Sequence, residues 1–320
     1  MSTYVLATEV LGIDTRVELT ATEFSDYKQA WQTATECLAI EETFSYVICD
    51  MLELEAAIHR HALDGVCNPF GDWAAAMDRL HDVSRRLVHL LSSSHAYLDS
   101  TGRRLSASLP KDHPAISQWE GWRNQMSEGS KEALIWKRLR DLALHQDNPL
   151  SGLFARGRLV SPLGVSPVLI ERTFALNINH SIRSAESSRR HKKRGHRRTP
   201  QLPLDDLPEK FDVRPLVQDY VASLGETHQS LRIAVASDCK RAACLMQEAV
   251  RRFAEKLGKP PEQVYVVLAE VDANGQFEVR VPMGSQWSDR YEVLLKRYVG
   301  VPSLRGSYLT TRSTLGSMLS

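Results

Sequence analysis

Apolar residues recur at three- and four-residue intervals through most of this chain, and at alternate positions mainly near its two ends. Cys37, Ile40, Phe44, Val47, Ile48, Met51, Leu52 and Ile58 mostly keep the helical spacing, with Thr22, Ser25 and Asp26 as capping candidates before them and Gly65 near the close. After the turn signal Asn68-Pro-Phe-Gly-Asp72, the residues Trp73, Met77, Leu80, Val83, Leu87, Leu90, Leu91 and Leu98 repeat that period over about seven turns. Two long amphipathic helices with a short connection are expected to pack antiparallel. The stretch Ser100–Pro114 is polar, carries Pro110 and Pro114, and reads as a loop. Helical spacing resumes through Trp119 and Trp122, breaks around Gly129, restarts at Ser130 and stops at Asn148-Pro149, because a residue before proline avoids the α region.

Further along, Ser166–Asn177 has the β-branched and aromatic content of a strand. Phe211-Asp-Val-Arg-Pro opens another helix that carries Leu216, Val217, Tyr220, Val221, Leu224, His228 and Leu231, and continues or restarts through Cys244–Phe253 to Gly258. Val264–Val271 and Gln276–Val281, joined by Asp-Ala-Asn-Gly, read as a β-hairpin, followed by a helix from Ser288 to Val299. Thr3–Val10 and Arg16–Ala21 form a second small ribbon around Gly12-Ile-Asp-Thr. An isolated two-stranded ribbon is marginal in water, so these two ribbons are expected to join in one small sheet. The fold class expected is mainly α: an antiparallel helical bundle with small β additions at the N-terminus and C-terminus. Its divisions are a β segment at 1–21, a helical domain at 22–232 with a basic loop at 183–208, and an α+β segment at 233–320. No internal repeat at a solenoid period is visible.

A chain of 320 residues can bury a proper core, and a net charge of +1 supports no global electrostatic statement. One local excess stands out. Arg189, Arg190, Lys192, Lys193, Arg194, Arg197 and Arg198, with His191 and His196, occupy one ten-residue run that precedes the proline-spaced Pro200–Pro208. Such a run can track a phosphate backbone with salt-sensitive, sequence-blind affinity, or be a solvated loop. No aromatics are interleaved to stack bases. Five cysteines, an odd number without framework spacing, read as reduced, mostly buried thiols of a cytoplasmic protein. No signal sequence and no membrane span is seen, so no membrane partner is expected. His59 and His61 with Cys67 lack a zinc spacing, and helical histidines two apart point to different faces, so they are read as solvent-facing. With no glycine-rich phosphate loop, no Gly-x-Ser-x-Gly and no paired carboxylates, neither a cofactor nor a metal is expected.

Catalytic residue types coincide with an interpretable spacing in Trp136–Pro149. On a helical wheel at about 100° per residue, Ile135, Leu139, Leu142 and Ala143 share the packing side and Leu144 lies nearly opposite. Arg140 flanks Leu144 on one side; Asp141 and His145 flank it on the other, with Arg138 on their stripe. Arg140 and His145 diverge by about 140°, too far to pair on one helix by themselves. A leucine in the middle of a polar face implies that the face is covered.

Arg140-Asp141-Leu-Ala-Leu-His145 resembles the HEPN superfamily of helical-bundle proteins, whose ribonuclease members carry Arg, a polar Asn, Asp or His, three residues and then His. It is most similar to bacterial HEPN-like proteins reading Arg-Asn-aromatic-x-Gln-His with a nearby Pro. Here Asp141 replaces the Asn, Leu142 the aromatic residue and Leu144 the Gln, while Pro149 is kept. The likeness covers roughly residues 22–231, including the helix that begins at Phe211-Asp-Val-Arg-Pro. It implies a homodimer through the Arg140–His145 helix face, with both copies contributing to one cleft that cleaves RNA without metal through the ribose 2′-OH. His145 would act as general base or acid, Arg140 would stabilise the phosphorane, and Asp141 would orient one of them. Arg138 and the basic run would attract substrate, and the role would be that of a toxin or defence effector. The alternative is a non-catalytic scaffold that uses the same face to dimerise or to bind a protein or nucleotide. In the plainest reading, Arg140 and Asp141 are a surface pair and His145 a helix-terminal histidine on the dipole.

Overall fold

A computed structural model describes residues 3–10, 14–67, 72–145, 150, 168–171, 175–176, 211–284, 286–305 and 312–315, and the chain is mainly α-helical with small antiparallel β additions. Helix α1 spans Ala21–Cys67. Thr20 opens it with a capping box: its Oγ1 accepts from the Glu23 N–H at 3.2 Å, and the Glu23 carboxylate accepts from the Thr20 N–H at 2.8 Å. Helix α2 spans Trp73–Ser108, with the Asp72 carboxylate accepting from the Ala75 N–H at 2.9 Å.

The loop expected at Ser100–Pro114 is largely absent, because α2 runs on to Ser108 and only five residues separate it from α3, Pro114–Glu128. The reason lies in the pattern of buried positions: Leu80, Ser84, Leu87, Leu91, Ser94, Leu98, Thr101, Leu105 and Ser108 are all buried, at alternating intervals of three and four. That is the spacing of about 3.5 that makes a coiled-coil seam. Hydroxyls occupy four of its positions, and an apolar search passes over them. Two of them turn back on their own helix: Ser94 Oγ donates to the Leu91 carbonyl at 3.1 Å and Ser108 Oγ to that of Leu105 at 3.5 Å. After α3 the chain breaks at Gly129, whose Cβ, if present, would lie 2.6 Å from the Gln125 carbonyl oxygen. Helix α4, Lys131–His145, then begins.

The strand expected over Ser166–Asn177 is two short ones, β3 at Val168–Glu171 and β4 at Ala175–Leu176; β4 pairs with β5 at Phe211–Asp212. Helix α5 is unbroken over Val213–Leu257. Strands β6, Val267–Val271, and β7, Phe277–Pro282, form the expected hairpin. Its turn is held by the Asp272 carboxylate, which accepts from the N–H groups of Asn274 and Gln276, while Gly275 takes φ 80°. Helix α6 covers Gln286–Lys296 rather than reaching Val299: Tyr298 sits at φ 61°, outside right-handed helix space, and a 3-10 turn follows at Val301–Leu304. Strand β8, Arg312–Leu315, pairs with β3. The two end ribbons do join. With β1 at Thr3–Ala7 and β2 at Val17–Leu19, the sheet order is β2-β1-β6-β7, antiparallel throughout, with Thr3 opposite Val271 and Ala7 opposite Val267.

The chain divides into two compact units, one of Met1–Phe44, Leu98–Glu120 and His228–Val299, the other of Ser45–Tyr97, Gly121–Thr227 and Gly300–Ser320. In the first, one sheet face packs Leu6, Leu268 and Val281 with Phe24, Met246 and Phe253. The opposite face gathers Val5, Ala7, Val267, Ala269 and Val271. Apolar residues on both faces explain why β6 reads as a continuous apolar run.

The same unit buries a charged group. Arg232 Nη2 and Nε donate to the two oxygens of Glu41 at 2.6 and 2.9 Å, His228 Nε2 lies 3.1 Å from Glu41, and the His228 ring stacks on Phe44 at 3.9 Å. Burial pushes the Glu41 carboxyl up, but hydrogen bonds from His228 and Arg232 outweigh it and hold the group at about 2. Burial also pushes the His228 ring down, more than the carboxylate beside it raises it, so His228 is the neutral donor and Arg232 the cation of the set.

Among the described residues no helix is long and apolar enough to cross a membrane. Cys37 and Cys239 are buried whereas Cys49 and Cys244 are exposed, so the expectation of mostly buried thiols holds for two of these four. His61 is also a correction: its side chain is only 15% exposed and bonds Asp82 at 2.9 Å, because α2 brings an acidic partner to that face.

Candidate functional site

Helix α4 starts at Ser130, whose Oγ accepts from the Ala133 N–H at 3.1 Å. Ala133, Ile135, Trp136, Leu139 and Leu142 are buried along it, while Leu144 is 49% exposed, the two sides that the wheel separates. Trp136 fixes the helix laterally. Its indole N–H donates to Ser94 Oγ at 3.1 Å, and its ring stacks on Tyr220 of α5 at 4.4 Å and 14°. Burial raises the Tyr220 hydroxyl well above its usual range, and the positive charge of Arg140 opposes that rise, which places the guanidinium within electrostatic reach of the ring.

Arg140 and Asp141 come together although adjacent helical residues point about 100° apart, because the arginine is long enough to fold back. Arg140 Nη2 and Nε both donate to Asp141 Oδ1, at 2.6 and 3.2 Å. Arg140 Nη1 lies 2.8 Å from Nδ1 of His95 on α2. A guanidinium has donors only, so the facing ring nitrogen of His95 must be the unprotonated acceptor. Both Arg140 and Asp141 are mostly shielded, at 22% and 17% exposure. A partly desolvated guanidinium held on two sides is a preorganised donor for a phosphate oxygen, because its fork keeps further N–H groups for an incoming anion.

His95 is the residue that sequence reading missed. It follows Ser92-Ser-Ser, and the signal available was Ser94 in an apolar seam position, which marks a helix face with polar business on it. His145 closes α4, and its side chain lies outside the described residues, as do Pro149 and the whole basic run of Arg189, Arg190, Lys192, Lys193, Arg194, Arg197 and Arg198. Arg138 is half-buried on α4. Among the described residues no group of three or more His, Cys, Asp or Glu is arranged to hold a metal ion. No family model, no curated protein and no solved structure matches this chain. What the site can do is therefore argued from its own chemistry.

Proposed function

We propose that the chain is an endoribonuclease of the HEPN type, cleaving RNA through the ribose 2′-OH at a composite site built from two copies. The observation that carries the reading is Arg140, mostly shielded and held between the Asp141 carboxylate and the neutral His95 ring. In the reaction, Arg140 neutralises charge that grows on the phosphorane oxygens, and Asp141 keeps its fork aimed. A histidine unprotonated at neutral pH takes the 2′-OH proton; a second, protonated one delivers a proton to the leaving 5′-oxygen. The helix-terminal His145 of each copy is the candidate for these two roles, while His95, whose ring lone pair accepts from Arg140, positions the guanidinium. The exposed Leu144 beside the site is the patch that a second copy covers. Attraction of RNA by Arg138 and the basic run, which rests on their charge, a reducing cytoplasmic setting, which rests on the unpatterned cysteines, and a toxin or defence role, which rests on the sequence resemblance, belong to the same proposal.

A second reading is favoured by one contact: Asp141 already neutralises Arg140 within its own protomer, as a dimerisation or partner-binding scaffold requires. The test incubates purified wild type, Arg140→Ala, His95→Ala and His145→Ala with mixed RNA and EDTA. The proposal expects products ending in 2′,3′-cyclic phosphate, with a loss of a hundredfold or more, about the size seen when a key charge-stabilising donor is removed, in Arg140→Ala. No cleavage by wild type, or equal cleavage by all four, sinks it in favour of the scaffold.

A further inference from the structure

In the first unit, a cavity of about 350 Å³ opens between α5, the segment after it and the start of α6. Its size is at the lower end of pockets that hold small molecules. The buried methionines Met246 and Met283 form its floor, with Val250 and Trp287 as walls. Methionine and a tryptophan face suit a planar or irregular apolar body. Trp287 turns its indole N–H away, donating it to the Ala34 carbonyl, so its contribution to the cavity is apolar ring. Gly284 also lines it, and a Cβ there would meet nothing within 4 Å.

The rim carries two opposite charges, Arg251 and Glu262, and among the described residues neither makes an ion pair or a side-chain hydrogen bond. This decides the ligand class. A purely apolar molecule leaves both charges unused. A singly charged one gains from one and is repelled by the other. A zwitterion with an apolar body gains from both. We infer that this cavity binds an apolar α-amino acid, or a zwitterion of that shape, with its carboxylate on Arg251, its ammonium on Glu262 and its side chain over Met246, Met283 and Trp287.

The experiment is calorimetric titration of the full chain with three probes: L-phenylalanine, its amide, which is only a cation, and N-acetyl-L-phenylalanine, which is only an anion. The inference expects saturable binding of phenylalanine, at least tenfold weaker binding of both blocked forms, and loss of binding in Gly284→Leu, which fills the cavity. In the exposed-rim variant Arg251→Gln the preference for phenylalanine over its amide should vanish, and this variant decides the matter if Gly284→Leu fails to fold. Absence of phenylalanine binding, equal binding of all three probes, or an unchanged preference in Arg251→Gln overturns it.

Discussion

Replacing Arg232 with methionine keeps most of its aliphatic bulk and removes the cation facing Glu41. Holding a carboxyl at about 2 instead of the usual 4.5 corresponds to roughly 3 kcal/mol, at about 1.4 kcal/mol for each pH unit. Because the folded value lies below the unfolded one, this contribution is complete above about 4.5 and is lost as pH falls through about 2. In Arg232→Met, Glu41 is a buried carboxylate with only the neutral His228 as donor, so its pKa should rise above the unfolded value and the sign of its contribution at neutral pH should reverse. The variant also loses the two bonds from Arg232 to the Leu294 and Leu295 carbonyls, at 3.1 and 3.3 Å, which tie down the end of α6. Breaking a buried pair from one side typically costs about 3–5 kcal/mol. Urea unfolding of both proteins should show a loss of that size at pH 7 and roughly half of it at pH 4, where the variant's Glu41 has taken up a proton. A loss under about 1 kcal/mol, or one of equal size at both pH values, would show that Glu41 is not the buried anion described here.

Three further outcomes test other parts of the fold. Gly225→Ala places a Cβ 2.6 Å from Val301 Cγ1 and should cost about 1–3 kcal/mol in urea unfolding, with Val301→Ala added to it recovering most of the loss. Ser94→Ala leaves the buried Trp136 indole N–H without its acceptor and should cost about 1–3 kcal/mol, whereas Ser94→Thr, which keeps a hydroxyl, should cost less. Thr20→Ala removes the cap of α1 and should cost about 1 kcal/mol by thermal or urea unfolding, with Thr20→Ser close to wild type.

The helices were legible wherever leucine, valine or an aromatic marked the buried stripe, and so was the Asp-Ala-Asn-Gly hairpin, whose turn residues state their backbone requirement locally. Serine and threonine in the α2 seam hid its last turns: they are small enough to sit between packed helices, yet a hydropathy pattern counts them as surface. The site was half legible. The wheel separated Leu144 from Leu139 and Leu142, but the contact of Arg140 with His95 joins residues about 45 positions apart, and nothing in the local sequence of either announces the other. Glu41 was invisible for the same reason, since its partners His228 and Arg232 lie on α5.

The order of strands in the sheet bears on how the protein is made. Strand β1 pairs with β6 about 260 residues further along. At roughly 5–20 residues per second, a ribosome needs on the order of ten to fifty seconds to reach β6 after β1 has emerged. For that interval Val5 and Ala7 lack the β6 residues they pack with, Leu6 has only β2 and Phe24 of α1, and a two-stranded ribbon is marginal in water. The nascent chain must therefore carry an apolar segment with an open edge while its helices are being synthesised, and closing the sheet is a late, long-range step. Conditions that slow translation should lengthen this exposed period, and aggregation of incomplete chains should start from the β1 segment rather than from the helices.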